Sequence, residues 1–135
     1  MEKDVFCKII DKEIPSYTLY EDDDVLAILD ISQVTKGHTL IISKKHFDNF
    51  LAVPKDVMHK VMDVAQRIGQ AQITTLHAKG VNILSNCYEA AGQSVMHFHV
   101  HVIPRYGDDG LKIEMKENAG DINLPALCKS IKENI

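Results

Sequence analysis

The chain has 135 residues, 45% of them hydrophobic and 25% charged, which is the size and composition of one globular domain. A formal net charge of −4 argues against general nucleic-acid binding, because no cationic surface would replace the counterions of a phosphate backbone. No stretch approaches the roughly 20 apolar residues of a membrane span, and the N-terminus lacks a secretory pattern.

The first 30 residues predict a short helix followed by a β-hairpin. The helix covers residues 5–10 and ends before Pro15, because proline disfavours helical backbone in the residue that precedes it. Strands follow at 17–20 and 25–30, and the acidic run at 21–24 indicates a solvated turn between them. Adjacent carboxylates can instead bind a metal ion, but a solvated turn is the commoner arrangement.

A third strand and a long helix occupy the middle of the chain. The strand covers residues 38–42, and a helical pattern runs from Pro54 to about His77. Pro54 suits the first helical turn, and Gly80 is expected to end the helix. Apolar residues recur along this helix at spacings of three and four: Val57, Val61, Val64, Ile68 and Ala71.

Two further strands and a closing helix complete the chain. The strands are predicted at residues 81–85 and 94–103, and Pro125 lies in the first turn of the closing helix. That helix is marked by Leu124, Leu127, Cys128, Ile131 and Ile135. Five strands, with one long helix between the third and the fourth, predict an α+β fold with a largely antiparallel sheet. Without repeats or linkers, residues 1–135 form a single predicted domain.

The last predicted strand divides its side chains between two chemically different faces. One face is apolar: Met96, Phe98, Val100 and Val102. The other carries three imidazoles about 6.6–6.8 Å apart at the usual strand rise: His97, His99 and His101. Packing alone is a poor explanation for such a row, because imidazole is costly to bury. The row therefore predicts a surface that binds an extended anionic group such as a phosphate.

Imidazole is suited to phosphate chemistry near neutral pH. A neutral ring nitrogen can attack phosphorus and form a phosphoramidate intermediate, while neighbouring donors stabilise charge on the phosphate oxygens. Gly92, Gln93 and Ser94 precede the strand and supply a flexible turn, an amide and a hydroxyl. A zinc site is the main competing interpretation, because His-x-His on a strand can provide two metal ligands.

The run Gly92–Arg105 (GQSVMHFHVHVIPR) resembles the signature of the histidine triad (HIT) family, His-φ-His-φ-His-φ-φ with φ hydrophobic. His97–Ile103 matches it at every position, and the resemblance extends from Phe6 through Arg105. The branch that the chain most resembles is that of the Hint-like purine nucleotide phosphoramidases, which include bacterial HIT proteins. The resemblance implies a HIT-like fold with a five-stranded sheet, one long helix and short flanking helices.

The resemblance also implies roles for individual residues. His99 is similar to a nucleophile that forms a nucleotidyl-histidine intermediate, and the backbone carbonyl of His97 would orient it. His38 matches a histidine that supports the triad, and Asp30 a carboxylate that holds ribose hydroxyls. Contacts to the phosphate or the leaving group are implied for His101, Gln93, Ser94 and Asn86. The implied purine-pocket wall, which without the family would be assigned to the core, is Phe6, Ile9, Ile14, Ile28 and Ile31.

The function implied is cleavage of a phosphoramidate or related α-phosphate bond of an AMP-linked purine mononucleotide, and the expected partner is a substrate that is a conjugate of AMP or GMP. Two alternatives stay open: a dinucleoside polyphosphate hydrolase, and a non-catalytic nucleotide-binding or adaptor protein. The family further implies a homodimer that packs through the long helix and the fourth strand. No nucleic acid, membrane or required cofactor is expected. Three separated cysteines, Cys7, Cys87 and Cys128, favour a reducing, cytoplasmic setting.

A structural zinc ion is the one metal that the resemblance raises. Some bacterial relatives begin Cys-x-x-Cys and bind zinc with two further histidines. Here the corresponding residues run from Asp4 to Cys7, so the first thiolate is missing. The remaining candidate ligands are Cys7, His46 and His97, and Asp4 could replace the absent cysteine. Because of this departure, zinc is less expected here than in those relatives.

Overall fold

A computed structural model describes residues 3–135, which form one five-stranded sheet, three α-helices and a short 3₁₀ helix. The strands are β1 (Thr18–Glu21), β2 (Val25–Leu29), β3 (Thr39–Ser43), β4 (Gly80–Leu84) and β5 (His99–Arg105). The helices are α1 (Val5–Ile10), α2 (Lys55–Leu76), α3 (Leu124–Lys132) and the 3₁₀ turn Glu89–Ala91. The strand order is β1-β2-β3-β5-β4, and every neighbouring pair is antiparallel. The predicted α+β fold class is confirmed.

The sheet separates two apolar clusters, one under each of the first two helices. Helix α2 covers one face, where the buried cluster comprises Val25, Ala27, Ile41, Val61, Val64, Ala65, Phe98, Val100 and Val102. Helix α1 covers the other face, where the cluster comprises Phe6, Ile9, Leu26, Ile28, Leu40 and Ile42. Strands β2 and β3 are apolar on both faces because each face is covered, and they therefore lack a polar alternation.

The hairpin between β1 and β2 forms where the acidic run predicted it. The Asp22 carboxylate accepts hydrogen bonds from the backbone N–H groups of Asp24 and Val25, both at 2.8 Å, and from the Tyr20 hydroxyl at 2.7 Å. Asp24 forms an ion pair with Lys60 of α2 at 2.8 Å. Asp22 is therefore satisfied within the hairpin, in agreement with the interpretation as a turn, except that Glu21 belongs to β1.

The ends of α2 differ from the prediction at both termini. Pro54 is the N-cap and has extended backbone, so it precedes the helix rather than lying in its first turn. His77, not Gly80, adopts the left-handed conformation that ends the helix, with φ +58°. Gly80 instead begins β4, because pairing with β5 has already started at Lys79, whose N–H donates to the Arg105 carbonyl at 2.8 Å.

The histidine strand begins later than predicted. Strand β5 starts at His99, and the preceding segment is bent, so His97 lies outside the regular sheet. Pairing with β3 begins at Ile42 opposite His99, which explains the position of the boundary. The predicted core face is correct for Phe98, Val100 and Val102 but wrong for Met96, which is 41% exposed because it belongs to the bent segment.

The chain after β5 contacts the domain at its start, where the Tyr106 hydroxyl donates to the Lys36 carbonyl and Asp109 pairs with Arg105. Helix α3 is capped by Asn123, whose side chain accepts from the Ala126 N–H, and none of its residues is buried. It forms where the apolar pattern predicted it, except that Ile135 lies beyond its end. Within residues 3–135, no helix combines the length and apolarity needed to cross a membrane.

Candidate active site

A cavity of about 300 Å³ opens on the α1 side of the sheet, bounded by α1, the loop after it, the end of β2 and the start of β5. Nine residues predicted from the sequence line it: Phe6, Ile9, Ile14, Ile28, Asp30, Ile31, Ser94, His99 and His101. Ile31 is 88% exposed and lies at the rim, whereas Phe6 is buried. The cavity therefore has an apolar wall and one polar edge formed by a carboxylate, a hydroxyl and two imidazoles.

His99 is held by a hydrogen bond that determines which ring nitrogen is free. Its Nδ1 lies 2.7 Å from the carbonyl oxygen of His97, which can only accept, so Nδ1 carries the proton. Nε2 of the neutral ring then has an available lone pair. The edge-on ring of Phe6, 4.8 Å away between centroids, fixes the orientation of the imidazole. Burial lowers the pKa of His99, which favours this neutral form.

The contact with His38 gives His101 the tautomer opposite to that of His99, with the proton on Nε2 instead of Nδ1. The Val34 N–H points to Nδ1 of His38 at 3.4 Å, so the proton of His38 is on Nε2. That Nε2 lies 2.9 Å from Nδ1 of His101 and donates to it, which leaves the proton of His101 on its own Nε2. Burial, together with the neighbouring His99 and His38, lowers the pKa of His101 to about 4. His101 is therefore a neutral hydrogen-bond donor beside the neutral acceptor His99.

The imidazoles are closer together than an ideal strand would place them. The ring centroids of His99 and His101 are 5.1 Å apart, below the spacing expected from strand rise alone, because the rings tilt toward each other. Asp30 is near the same group, with Oδ2 3.7 Å from Nε2 of His38. We call His38, His99 and His101 the open cluster, because His99 and His101 line the cavity.

Two predicted phosphate contacts do not line the cavity. Gln93 is 3% exposed, and its side chain accepts from the Tyr88 N–H at 2.7 Å and donates to the Asp48 carbonyl at 2.6 Å. Asn86 lies against Gly92, whose carbonyl it approaches at 3.4 Å. Both side chains instead support the loop before β5, in which Gly92 has φ +101°. Gln93 is turned inward because a buried amide must satisfy its hydrogen bonds within the protein.

Several lining residues were not predicted from the sequence as site residues. They are Val5, Pro15, Ser16, Leu29, Leu40 and Val95. Leu40 is directly opposite His101 in the register of β3 and β5 and therefore shares its face of the sheet. Leu40 lies in a continuous apolar run with Ile41 and Ile42, so alternation did not indicate which face it occupies. Its alignment with the histidines depends on a pairing between distant segments of the chain.

The ring of His97 leaves the cavity and joins a separate group of polar side chains. Its Nδ1 lies 3.0 Å from Oδ2 of Asp4 and 3.7 Å from Sγ of Cys7, and His46 Nε2 lies 3.4 Å from the same Asp4 oxygen. His97 itself is fully buried. We call Asp4, Cys7, His46 and His97 the closed cluster. Two imidazoles, a thiol and a carboxylate are the donor types that zinc binds, so these residues fit the metal chemically.

Comparisons with known proteins identify the family and the fold of this chain. The family model described as "HIT domain" matches residues 11–108. "Protein hit" from Bacillus subtilis is 46% identical over 121 residues, which cover 89% of this chain and 83% of that protein. A crystal structure of a HIT family member from B. subtilis has a TM-score of 0.91 at 43% identity, covering 99% and 98% of the two chains. "Adenylylsulfatase HINT3" from Arabidopsis thaliana is 40% identical over 107 residues, 79% of this chain and 54% of that protein.

Proposed function

The chain belongs to the histidine triad (HIT) family, and from its site we propose a nucleotide hydrolase in which His99 attacks the α-phosphate of a purine mononucleotide conjugate. The observation that carries this proposal is the hydrogen bond from His99 Nδ1 to the carbonyl of His97 at 2.7 Å. This bond leaves Nε2 of His99 as an unprotonated nucleophile. The neighbouring His101 is neutral and has its proton on its own Nε2. Because the hydrogen bond to His97 already holds the ring of His99 in one orientation and one tautomer, the ring does not have to reorient before attack.

The first step joins Nε2 of His99 to phosphorus and breaks the bond from phosphorus to the leaving group. With a phosphoramidate, the departing amine needs a proton, and Nε2–H of His101 or the hydroxyl of Ser94 is the available donor at the cavity. The group that gives this proton stays without it until the second step, and Nδ1 of His101 continues to accept from His38. The products are the free amine and a nucleotidyl-histidine carrying the mononucleotide.

The second step returns the enzyme to its first state. Water attacks the phosphorus of the nucleotidyl-histidine, the N–P bond breaks, and the electron pair returns to Nε2 of His99. The proton of the attacking water passes to the group that lost one in the first step. The mononucleotide then leaves, so the net reaction is hydrolysis. Donors at the polar edge of the cavity stabilise the charge that builds on the phosphate oxygens in both steps.

The shape of the cavity supports a purine nucleoside as the bound group. Its wall is formed by the aromatic ring of Phe6 and by aliphatic residues on both sides, which suits a flat base. Asp30 lies at the polar edge and is the carboxylate available to accept hydrogen bonds from ribose hydroxyls. Apart from Asp30 and the two histidines, the lining side chains carry no ionisable group that would distinguish the two purines, so we propose that adenine and guanine are both accepted.

The leaving group is proposed to be an amine. A relative named as an adenylylsulfatase supports AMP conjugates as a class, with the adenylyl group in common and the leaving group variable. We propose phosphoramidates first, because His101 and Ser94 supply protons that an amine requires on departure. Turnover of diadenosine polyphosphates exceeding that of AMP amidates would favour the dinucleotide hydrolase instead. AMP binding without turnover of any conjugate would favour an adaptor protein.

The decisive experiment is detection of the intermediate. Adenosine 5′-phosphoramidate is mixed with the protein, the reaction is quenched within milliseconds, and intact mass is measured. We expect an added adenylyl group that is absent in His99→Ala and present in His59→Gln, a matched substitution at an exposed histidine of α2. Hydrolysis by His99→Ala at the unaltered rate would contradict the mechanism, whatever the adduct measurement shows.

We also propose that the working unit is a homodimer. Strand β4 is at the edge of the sheet, and its Ile83 and Leu84 are 46% and 39% exposed. On α2, Met62 and Ile73 are similarly exposed. A second copy would cover the unpaired strand edge and these side chains. Light scattering should give twice the chain mass, and Ile83→Lys should shift it toward one chain mass; a monomeric parent protein would contradict the proposal.

A further inference from the structure

A second cavity, of about 560 Å³, lies between the second half of α2, the end of β2, the start of β3 and the loop that joins these two strands. We call it the α2 cavity. Its aliphatic wall is formed by Leu19, Leu29, Ile68, Ala71 and Leu76. Of the residues that line it, Leu29 alone also lines the cavity of the candidate active site. The α2 cavity is therefore a separate feature of the molecule, which the proposed hydrolysis does not use.

Gln72 is a polar side chain at the buried end of the α2 cavity, where it is 4% exposed. Its Nε2 donates to the carbonyl oxygens of Gly37 at 3.0 Å and Val102 at 3.2 Å. Because both carbonyls can only accept, the amide cannot be turned round without placing its own oxygen against them. Oε1 therefore has a fixed direction, and within residues 3–135 it has no hydrogen-bond partner. A buried acceptor without a donor is costly, so a ligand that supplies a donor gains affinity here.

The other polar side chains of the α2 cavity already have partners or lie at its mouth. The Thr39 hydroxyl donates to the Gly37 carbonyl at 2.8 Å. The Gln33 amide is used within its own loop, where it donates to the His38 carbonyl at 2.8 Å and accepts from the Gly37 N–H at 2.7 Å. Lys36 is the one ionisable side chain among the described lining residues, and it is exposed. The buried end of the cavity therefore favours an uncharged group, because a charge placed there would lose its hydration without a partner.

We propose that the α2 cavity binds a small, uncharged, apolar molecule with one N–H or O–H donor, which is directed at Oε1 of Gln72. The aliphatic wall supplies affinity through burial of apolar surface, and the single unpartnered acceptor sets the orientation of the ligand. The volume is within the usual range for sites that bind small molecules. The exposed α2 residues assigned above to the proposed dimer, Met62 and Ile73, do not line this cavity, so that contact uses a different part of the helix.

The first test compares two probes of the same shape. Indole has an aromatic ring system and one N–H, and indene has a CH₂ group in place of that N–H. The full ¹⁵N-labelled chain is titrated with each probe, without nucleotide, and the side-chain amide signals of Gln72 are followed by NMR. We expect indole to bind with a Kd below about 1 mM and to shift the Gln72 signals, and indene to bind about tenfold more weakly.

Three results of this titration would overturn the proposal: no binding of indole below about 1 mM, equal affinity for the two probes, or unshifted Gln72 signals. The full chain is used so that a cavity filled by residues 112–135 in solution would give the first of these results. The outcome does not depend on the proposed hydrolysis, because no nucleotide is present and no reacting residue lines the α2 cavity.

The second test locates the ligand with variants of α2. Ala71→Phe adds an aromatic ring to the wall of the cavity from an exposed position and should abolish indole binding. Gln70→Phe is the control, because Gln70 is exposed and does not line the cavity, and it should bind indole as the parent chain does. Indole binding retained in Ala71→Phe would place the ligand elsewhere and contradict the proposal.

A third variant tests the acceptor itself. Gln72→Met keeps the length of the side chain but removes Oε1, so indole and indene should bind with equal affinity. A tenfold preference for indole that persists in Gln72→Met would exclude Gln72 as the acceptor. If this variant does not fold, the comparison of indole with indene in the unaltered chain, together with the Gln72 signals, still decides the proposal.

Discussion

His97 and His99 are two residues apart, yet their imidazoles lie in different surroundings. The ring of His99 lines the cavity with His101 and donates to a backbone carbonyl, which leaves one nitrogen free for chemistry. The ring of His97 is fully buried, and both of its nitrogens have partners, Ser43 and Asp4. We propose that the open cluster changes its proton and bonding state during hydrolysis, whereas the contacts of His97 join separate segments of the chain.

The difference shows that hydrogen-bond partners, more than residue type, determine what a histidine does. An acceptor-only carbonyl sets the tautomer of each ring, and the second nitrogen then faces the cavity in His99 and the Asp4 carboxylate in His97. Phe6 lies between the two clusters, with its ring 4.8 Å from His99 and 5.8 Å from His97 between centroids. The two environments can therefore be separated by experiment, and each prediction below changes one of them.

The largest effect is expected at the nucleophile. His99→Gln should lower kcat by about 10⁴-fold or more, because no other group at the cavity can form the nucleotidyl bond. In the closed cluster, His46→Gln should leave kcat within about threefold, because His46 contacts no reacting group. The measurement is steady-state hydrolysis of adenosine 5′-phosphoramidate. Equal losses in both variants would contradict the separation of the clusters.

A smaller effect is expected from the residue that sets the tautomer of His101. His38→Ala should reduce kcat by about 10–100-fold with little change in KM, because His101 loses the donor at Nδ1 and its proton is no longer fixed on Nε2. His38→Gln can donate from its amide and should recover part of the rate. A change confined to KM would instead assign His38 to nucleotide binding.

The pH dependence of activity and stability tests the two imidazoles that line the cavity. His99 and His101 have lowered pKa values, about 4 for His101, so the neutral forms persist below the usual histidine range. The acid limb of kcat/KM should therefore have its midpoint below pH 6.5. Between about pH 4 and 6.5 the unfolded chain binds more protons at His101, so stability should rise with pH across that window.

His101→Asn supplies the control for this window, because it removes the titrating group. Urea midpoints measured at pH 5 and pH 7.5 should differ less in the variant than in the parent chain. An unchanged difference would show that other groups dominate the pH dependence of stability. A midpoint of the acid limb above pH 6.5 would contradict the proposal that burial keeps His99 neutral.

The smallest effect on activity is expected at Phe6, whose ring lies against both His97 and His99. Phe6→Leu should destabilise the fold by about 1 kcal/mol through a change of shape in the α1 core. KM should rise a few-fold because the aromatic wall of the cavity is lost, whereas kcat should change little. Thermal denaturation and substrate titration measure the two effects. A loss confined to kcat would show that Phe6 acts mainly by orienting His99.

Much of the fold could be predicted because its signals are local. The long apolar periodicity specified α2, the alternation of two residue classes specified β5, and turn-forming residues specified the β1–β2 hairpin. Local signals were weaker at boundaries. His77 ends α2 in place of the glycine expected to do so, because pairing between β4 and β5 had already recruited the residues around Gly80.

The sequence by itself determined that His99 and His101 share one face of β5 opposite a core face, because side chains alternate along a strand. It did not determine which imidazole would face which partner. Only the tertiary structure turned Gln93 inward and joined His97 to Asp4 and Cys7, as well as His38 to His101. Those contacts connect residues 45 to 93 positions apart, so they follow from strand register and helix docking, which no local pattern encodes.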